Sequence, residues 1–277
     1  MTNAISLALI GYGEVGRTFA RALLARGDVE ISAYDILFDD PAIGARRLAE
    51  ARTAGVVPGR DAADAAARAR IVISAVTAAE AADVAARAAG YLRHDQIFFD
   101  INSVSPATKT RSAQLVEAAG ARFVEGAVMA AVSGPGLRVP ILAGGPAAAA
   151  AAEILNGLGM NIAPVTTEAG RASAMKLCRS IMIKGMEALI IDCATAAKHW
   201  NVEREVFDSL HDTFPSIDWP ALAVAMAERV RTHGIRRAAE MREAAQMLGD
   251  LGWDPSLCAA IAHRHEHFAK AARESSE

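Results

Sequence analysis

Two groupings in this chain of 277 residues combine residue types and spacings suited to chemistry. The first is Gly11-Tyr12-Gly13-Glu14-Val15-Gly16, lying between a short apolar run and an amphipathic stretch. Glycines at these spacings allow a tight turn, let the backbone approach a pyrophosphate, and let a following helix pack close to its strand. The helix N-terminus then offers unpaired N–H groups and positive potential to the phosphates. The second grouping is a polar stripe, Ser173, Lys176, Ser180, Lys184 and Glu187, in a stretch otherwise rich in Met, Leu, Ile, Cys and Ala. At helical periodicity these five share one narrow face. A lysine on a buried face is costly unless paired or its pKa falls, and a lowered pKa suits a general acid or base near neutral pH. The competing reading is two surface lysines and a salt-bridged Glu187.

Further residues sharpen the glycine motif. Asp35 follows at the end of the next apolar run, where an acid binds a ribose diol. Ile36 and Leu37 come next rather than an arginine, which favours NAD over NADP, with Arg46 or Arg47 the downstream candidates for a 2′-phosphate. A glycine turn without a ligand, and a site for S-adenosylmethionine, are the alternatives.

The elements that must position these residues are an alternation of strands and helices. Ser6–Ile10, Val29–Tyr34, Ile71–Ala75, Ile97–Asp100 and Arg122–Glu125 read as buried parallel strands, with two more near Ile141–Ala143 and Ile162–Val165. Helices are expected at Val15–Ala25, Pro41–Ala54, Asp61–Ala69, Ala79–Ala88 and Pro106–Ala119, the two prolines in first turns. From Glu168 to about Trp200 one helix of roughly 45 Å is expected, longer than one small domain buries. Further helices follow, with breaks near Pro215, Pro220, Gly234, Gly249–Gly252 and Pro255. The fold class is an α/β Rossmann doubly wound parallel sheet, then an all-α C-terminal domain joined through the long helix. The expected domains are 1–165 for the dinucleotide and 166–277 for substrate and dimerisation.

Composition removes other classes. A net charge of −3 and a pI of about 6.2 supply no overall basic field for nucleic acid or anionic membrane. Cys178, Cys193 and Cys258 are odd in number and far apart, forming neither a disulfide framework nor a zinc pair. The N-terminal stretch lacks a basic n-region, and no run approaches the length of a membrane span. A soluble cytoplasmic protein is expected, with no nucleic-acid or membrane partner and no metal. The apolar helical half points to a homodimer.

The chain resembles the β-hydroxyacid dehydrogenase superfamily, which includes 6-phosphogluconate and 3-hydroxyisobutyrate dehydrogenases, and is most similar to an uncharacterised 6-phosphogluconate-dehydrogenase-like branch. The stretch from Gly11 to Asp35 is similar to the family's N-terminal fingerprint. Asp100-Ile101-Asn102-Ser103-Val104-Ser105-Pro106 resembles its segment after the fifth strand. Gly170-Arg171-Ala172-Ser173-Ala174-Met175-Lys176 resembles the start of its interdomain helix. The resemblance implies a nicotinamide cofactor, NAD or NADP, held by Gly11, Tyr12, Gly13, Glu14, Val15, Gly16, Asp35, Val76, Thr77 and Asn102. It implies hydride transfer to or from a small anionic hydroxy acid, possibly phosphorylated, with Lys176 as general acid/base. Ser103, Met129, Ser180 and Lys184 then face the substrate. Two departures stand out: Ser180 replaces the family's asparagine one turn after the lysine, and Gly126-Ala127-Val128-Met129-Ala130-Ala131 replaces a Ser-Gly-Gly segment. They imply a substrate unlike that of the well-known members.

His233, Arg236 and Arg237 form a compact cationic segment able to complete an anion site, with pairing of the arginines to Glu240 as the alternative. In His263-Arg264-His265-Glu266-His267, His263 and His267 share a helix face but no third ligand at recognisable spacing accompanies them, and the segment reads as a solvated terminal helix. An imine reductase on the same fold and a non-catalytic nucleotide-binding sensor are the alternative functions.

Overall fold

The computed structural model describes residues 4–274. Eight strands form one sheet in the order β3-β2-β1-β4-β5-β6-β7-β8. They are β1 (Ile5–Ile10), β2 (Val29–Tyr34), β3 (Val57–Pro58), β4 (Ile71–Ser74), β5 (Ile97–Asp100), β6 (Arg122–Val128), β7 (Pro140–Gly144) and β8 (Asn161–Thr166). The first six are parallel to one another; β7 runs antiparallel to β6 and parallel to β8. The sheet is therefore mostly parallel.

Successive strand residues point to opposite faces, and here both faces are apolar. Leu7 and Leu9 pack with Ile31, Ile71, Ile73 and Phe99 on one face, where Phe19 and Leu23 of α1 (Glu14–Leu24) close the layer. Ala8 and Ile10 pack with Val72, Phe98 and Phe123 on the other. There Val84 and Ala85 of α4 (Ala78–Ala88) and Val116 of α5 (Pro106–Ala118) cover them. The chain leaves β1 toward β2 and β3, then returns to place β4 on β1's other side. At such a reversal the connections diverge and leave a crevice beyond the strand ends.

Some sequence expectations are corrected. β3 was not anticipated: it is a two-residue edge strand, a place where Pro58 is tolerated because no central ladder needs its N–H. Pro106 does open α5, behind the cap of Ser105, but Pro41 does not begin a helix. Asp40 accepts from the backbone N–H groups of Ala42 and Ile43, forming a turn, and α2 (Gly44–Thr53) starts after it.

The chain divides into two compact units, Met1–Lys176 and Leu177–Glu277. The helix α7 (Arg171–Trp200) begins in the first and runs into the second, 30 residues long. The second unit also holds α8 (Glu203–Thr213), α9 (Trp219–Asp250) and α10 (Ser256–Glu274). The break expected near Pro220 is the gap between α8 and α9, whereas the break expected at Gly234 is absent. Pro220 sits in the first turn of α9, where Asp218 caps the N–H of Ala221 at 3.0 Å. Gly234 is a crossing point: a Cβ there would lie 2.5 Å from the carbonyl oxygen of His265 on α10. Among the described residues, no helix is long and apolar enough to cross a membrane.

Candidate active site

The glycine motif joins β1 to α1 beside the sheet's reversal. Gly11 has φ +98°, and a Cβ on it would lie 2.3 Å from the carbonyl oxygen of Ala75, at the end of β4. Gly16 is closed in turn by the carbonyl oxygen of Gly11, 2.4 Å from its missing Cβ. Packing accounts for both. Gly13 differs: a Cβ there meets no protein atom within 4 Å, and as the N-cap of α1 it provides no side-chain cap. Its bare backbone and the uncapped first turn fit a closely approaching pyrophosphate.

Asp35 stands just past β2. Its Oδ2 accepts from the N–H of Tyr12 at 2.6 Å and its Oδ1 from that of Leu37 at 2.9 Å. The acid thus ties the glycine turn to the end of β2, and the carboxylate oxygens retain lone pairs for a ribose diol. Ile36 and Leu37 beside it are exposed, while Arg46 and Arg47 pair with Glu50. Glu14 is exposed and Val15 half-buried against the core.

Asn102 is buried and its amide is fully engaged. Its Oδ1 accepts from the N–H of Val76 at 2.7 Å; its Nδ2 donates to Ser74 and to Asp100 Oδ1. It therefore joins the ends of β4 and β5 and sets the path of Val76 and the exposed Thr77. Beneath it lies a pair that sequence reasoning missed. Lys109 of α5 is wholly buried, with Nζ 2.8 Å from the carbonyl oxygen and 2.9 Å from Oδ1 of Asp100. Oδ1 also accepts from the N–H of Asn102 at 2.9 Å, so the ion pair fixes the loop that carries Ser103.

Lys176 meets that loop. The residue is 9% exposed, and its Nζ donates to Ser103 Oγ at 2.7 Å. Burial here excludes the surface-lysine reading. Met129, half-buried after β6, donates its N–H to the carbonyl oxygen of Pro140. Ser173, on the same helix face, turns back to Glu125: its hydroxyl lies 2.6 Å from Oε2.

In the second unit the rest of the stripe forms a buried charged network. Lys184 donates to Ser180 at 3.0 Å and to Glu240 at 2.6 Å. Burial pushes the Lys184 ammonium below its ordinary pKa, while Glu240 pulls it back up. Glu187 is wholly buried and takes two nitrogens of Arg237, plus Arg229 at 3.3 Å. Arg237 thus pairs with Glu187 on α7 rather than with Glu240. Arg236 is half-exposed and pairs with Glu240, one helical turn on; His233 is exposed. The solvated reading of the terminal histidines holds for His263 and His267, which stack on the exposed side. It fails for His265, which is wholly buried with its Nε2 3.8 Å from Glu187. Among the described residues no group of three or more His, Cys, Asp or Glu is placed to hold a metal.

Residues 6–167 match the family model for the NAD binding domain of 6-phosphogluconate dehydrogenase. The chain belongs to the β-hydroxyacid dehydrogenase superfamily. Residues 197–268 match a domain of unknown function, DUF1932. A conserved hypothetical protein from Sinorhizobium meliloti 1021 is 39% identical to this superfamily member, over 96% of this chain and 88% of its own, with a TM-score of 0.84. The conserved protein MTH1747, of unknown function and described as structurally similar to 3-hydroxyacid dehydrogenases, is 33% identical over 97% of this chain and 98% of its own, with a TM-score of 0.78. More distant likenesses concern fold alone. Mycobacterium tuberculosis 3-hydroxyisobutyrate dehydrogenase shares 18% identity over 96% of this chain and 94% of its own, at a TM-score of 0.76. A Streptomyces aurantiacus imine reductase also shares 18%, over 96% and 95%, at 0.58. The superfamily's Rossmann-type domain and all-helical C-terminal region are thus both present.

Proposed function

We propose that this superfamily member is an NAD-dependent oxidoreductase that interconverts the hydroxyl and carbonyl forms of a small anionic hydroxy acid. The observation that carries the reading is Lys176, a buried lysine one turn into α7 whose Nζ rests 2.7 Å from Ser103 Oγ. The cofactor is held by the backbone of Gly11–Gly16, by Asp35 at the ribose, and by the strand-end loops carrying Val76 and Thr77. When bound, it supplies the hydride acceptor or donor. Lys176 Nζ takes the hydroxyl proton during oxidation and returns it during reduction. Ser103 holds that amine in place and has its own hydroxyl proton to offer a substrate oxygen. Asp35 and the absence of an adjacent arginine favour NAD over its 2′-phosphate.

The test has two stages. Thermal shift with NAD, NADH, NADP, NADPH and S-adenosylmethionine reads the cofactor, since a ligand that binds the native state raises Tm. Absorbance at the nicotinamide band is then followed against panels of hydroxy acids and of imines. Selective stabilisation by NAD(H) with turnover of a hydroxy acid supports the proposal. Stabilisation by S-adenosylmethionine, or turnover of imines alone, overturns it.

A further inference from the structure

Glu125 is the least expected polar residue in the first unit. It lies in the middle of β6, flanked by Val124 and Gly126, and is wholly buried. Its carboxylate meets hydrogen-bond donors of α7. Oε1 accepts from the N–H of Ala172 at 2.9 Å; Oε2 accepts from the N–H of Ser173 at 3.2 Å and from the Ser173 hydroxyl at 2.6 Å. Ala172 and Ser173 are the second and third residues of α7. Their N–H groups belong to the first-turn donors that no helix can satisfy internally. The side chain from a neighbouring strand therefore does what an N-cap residue ordinarily does, and brings its negative charge to the positive end of a 30-residue helix.

The sheet is built to admit this carboxylate. Gly144 of β7 pairs with Glu125 in the antiparallel register, and a Cβ on Gly144 would lie 2.6 Å from Oε1. On its other side Glu125 is in register with Asp100 of β5. Adjacent strand residues thus govern both partners of the contact in the candidate active site. Asp100, with Lys109, sets the loop that presents Ser103; Glu125 sets the helical turn that presents Lys176 three residues after Ser173.

We propose that Glu125 is a positioning residue for Lys176, its carboxylate locking the first turn of α7 so that Nζ is held against Ser103. The inference rests on the proposed role of Lys176, so its test includes a measurement independent of turnover. Glu125→Gln keeps the size but removes the charge and turns an amide N–H₂ toward backbone donors. Hydrogen exchange followed by mass spectrometry is compared for peptides covering 170–178 and 5–20. The expected result is at least tenfold faster exchange in the first peptide, with the second unchanged. With a turned-over hydroxy acid, kcat falls at least tenfold, the Kd for NADH stays within twofold, and Glu125→Asp recovers part of the loss. Should Glu125→Gln fail to fold, Gly144→Ala presses on the same carboxylate and is measured identically. Unchanged exchange over 170–178 overturns the positioning role whether or not the protein turns over a substrate. Faster exchange there with kcat unaltered overturns the link to Lys176. Failure of the wild-type chain on every hydroxy acid counts against the proposed function, while the exchange comparison still decides whether Glu125 locks the turn.

Discussion

Arg237 holds Glu187 through two nitrogens, Nε 2.8 Å from Oε2 and Nη2 on Oε1, at a position where the carboxylate is wholly buried. Arg229 reaches the same Oε1 from a half-exposed position. A buried carboxylate stripped of its main partner has no inexpensive state. Arg237→Leu is expected to destabilise the chain by about 3–5 kcal/mol, whereas Arg236→Ala, at a half-exposed pair, changes stability by less than about 1 kcal/mol. Urea denaturation of the two variants beside the parent measures the contrast. Equal effects would show that Glu187 does not depend on Arg237.

Lys176→Ala tests the proton-transfer role. Loss of a general acid/base costs roughly 10²–10⁴-fold in kcat. Titration with NADH, followed by its fluorescence, is expected to give an affinity within a few-fold of the parent. A variant that keeps wild-type turnover would remove Lys176 from the mechanism.

Asp35→Asn addresses cofactor choice. The amide retains one acceptor for the Tyr12 and Leu37 N–H groups but loses the charge that binds a diol and repels a 2′-phosphate. NADH affinity is expected to fall about tenfold, equivalent to about 1.4 kcal/mol, while NADPH affinity rises or holds. Parallel titrations decide it; an equal loss for both cofactors would indicate that Asp35 serves only the turn.

His265 makes stability depend on pH. Burial lowers its pKa from 6.5 to about 4, with Arg237 and Lys184 adding to the effect and Glu187 opposing it. Above pH 6.5 the imidazole is neutral in both folded and unfolded chains. As pH falls from 6.5 toward 4, the unfolded chain binds a proton that the folded one refuses, so stability declines through that window. The decline from this residue ends below about 4. In Tm measurements at pH 7 and 4.5, His265→Leu is expected to lose less between the two than the parent.

Periodicity and punctuation carry seven of the eight described strands and the long α7, because buried parallel strands read as β-branched runs and glycines mark their ends; the two-residue β3 is too short to show a pattern. The helices after Thr213 were harder. Pro220 lies in the first turn of α9, just after the break, whereas Gly234 lies where two helices cross and breaks neither. Within the candidate site, Gly11, Gly13, Asp35 and Lys176 were legible because a motif announces each. Glu125, Asp100 and Lys109 gave weaker signals. An acid inside the run Phe-Val-Glu-Gly-Ala-Val is out of place on a buried strand, and that oddity was the available clue for Glu125. Nothing local distinguishes Lys109 from a surface lysine: its burial comes from Asp100, nine residues earlier on another element.

The close fit of Gly144 to Glu125 makes two distant positions a single heritable unit. A side chain at 144 is excluded while the carboxylate occupies that space, and the bare glycine leaves a hollow once the carboxylate is gone. Across descendants of this sequence, exchange at either site should therefore be seen only with exchange at the other. Any lineage that parts them must find another group to complete the first turn of α7.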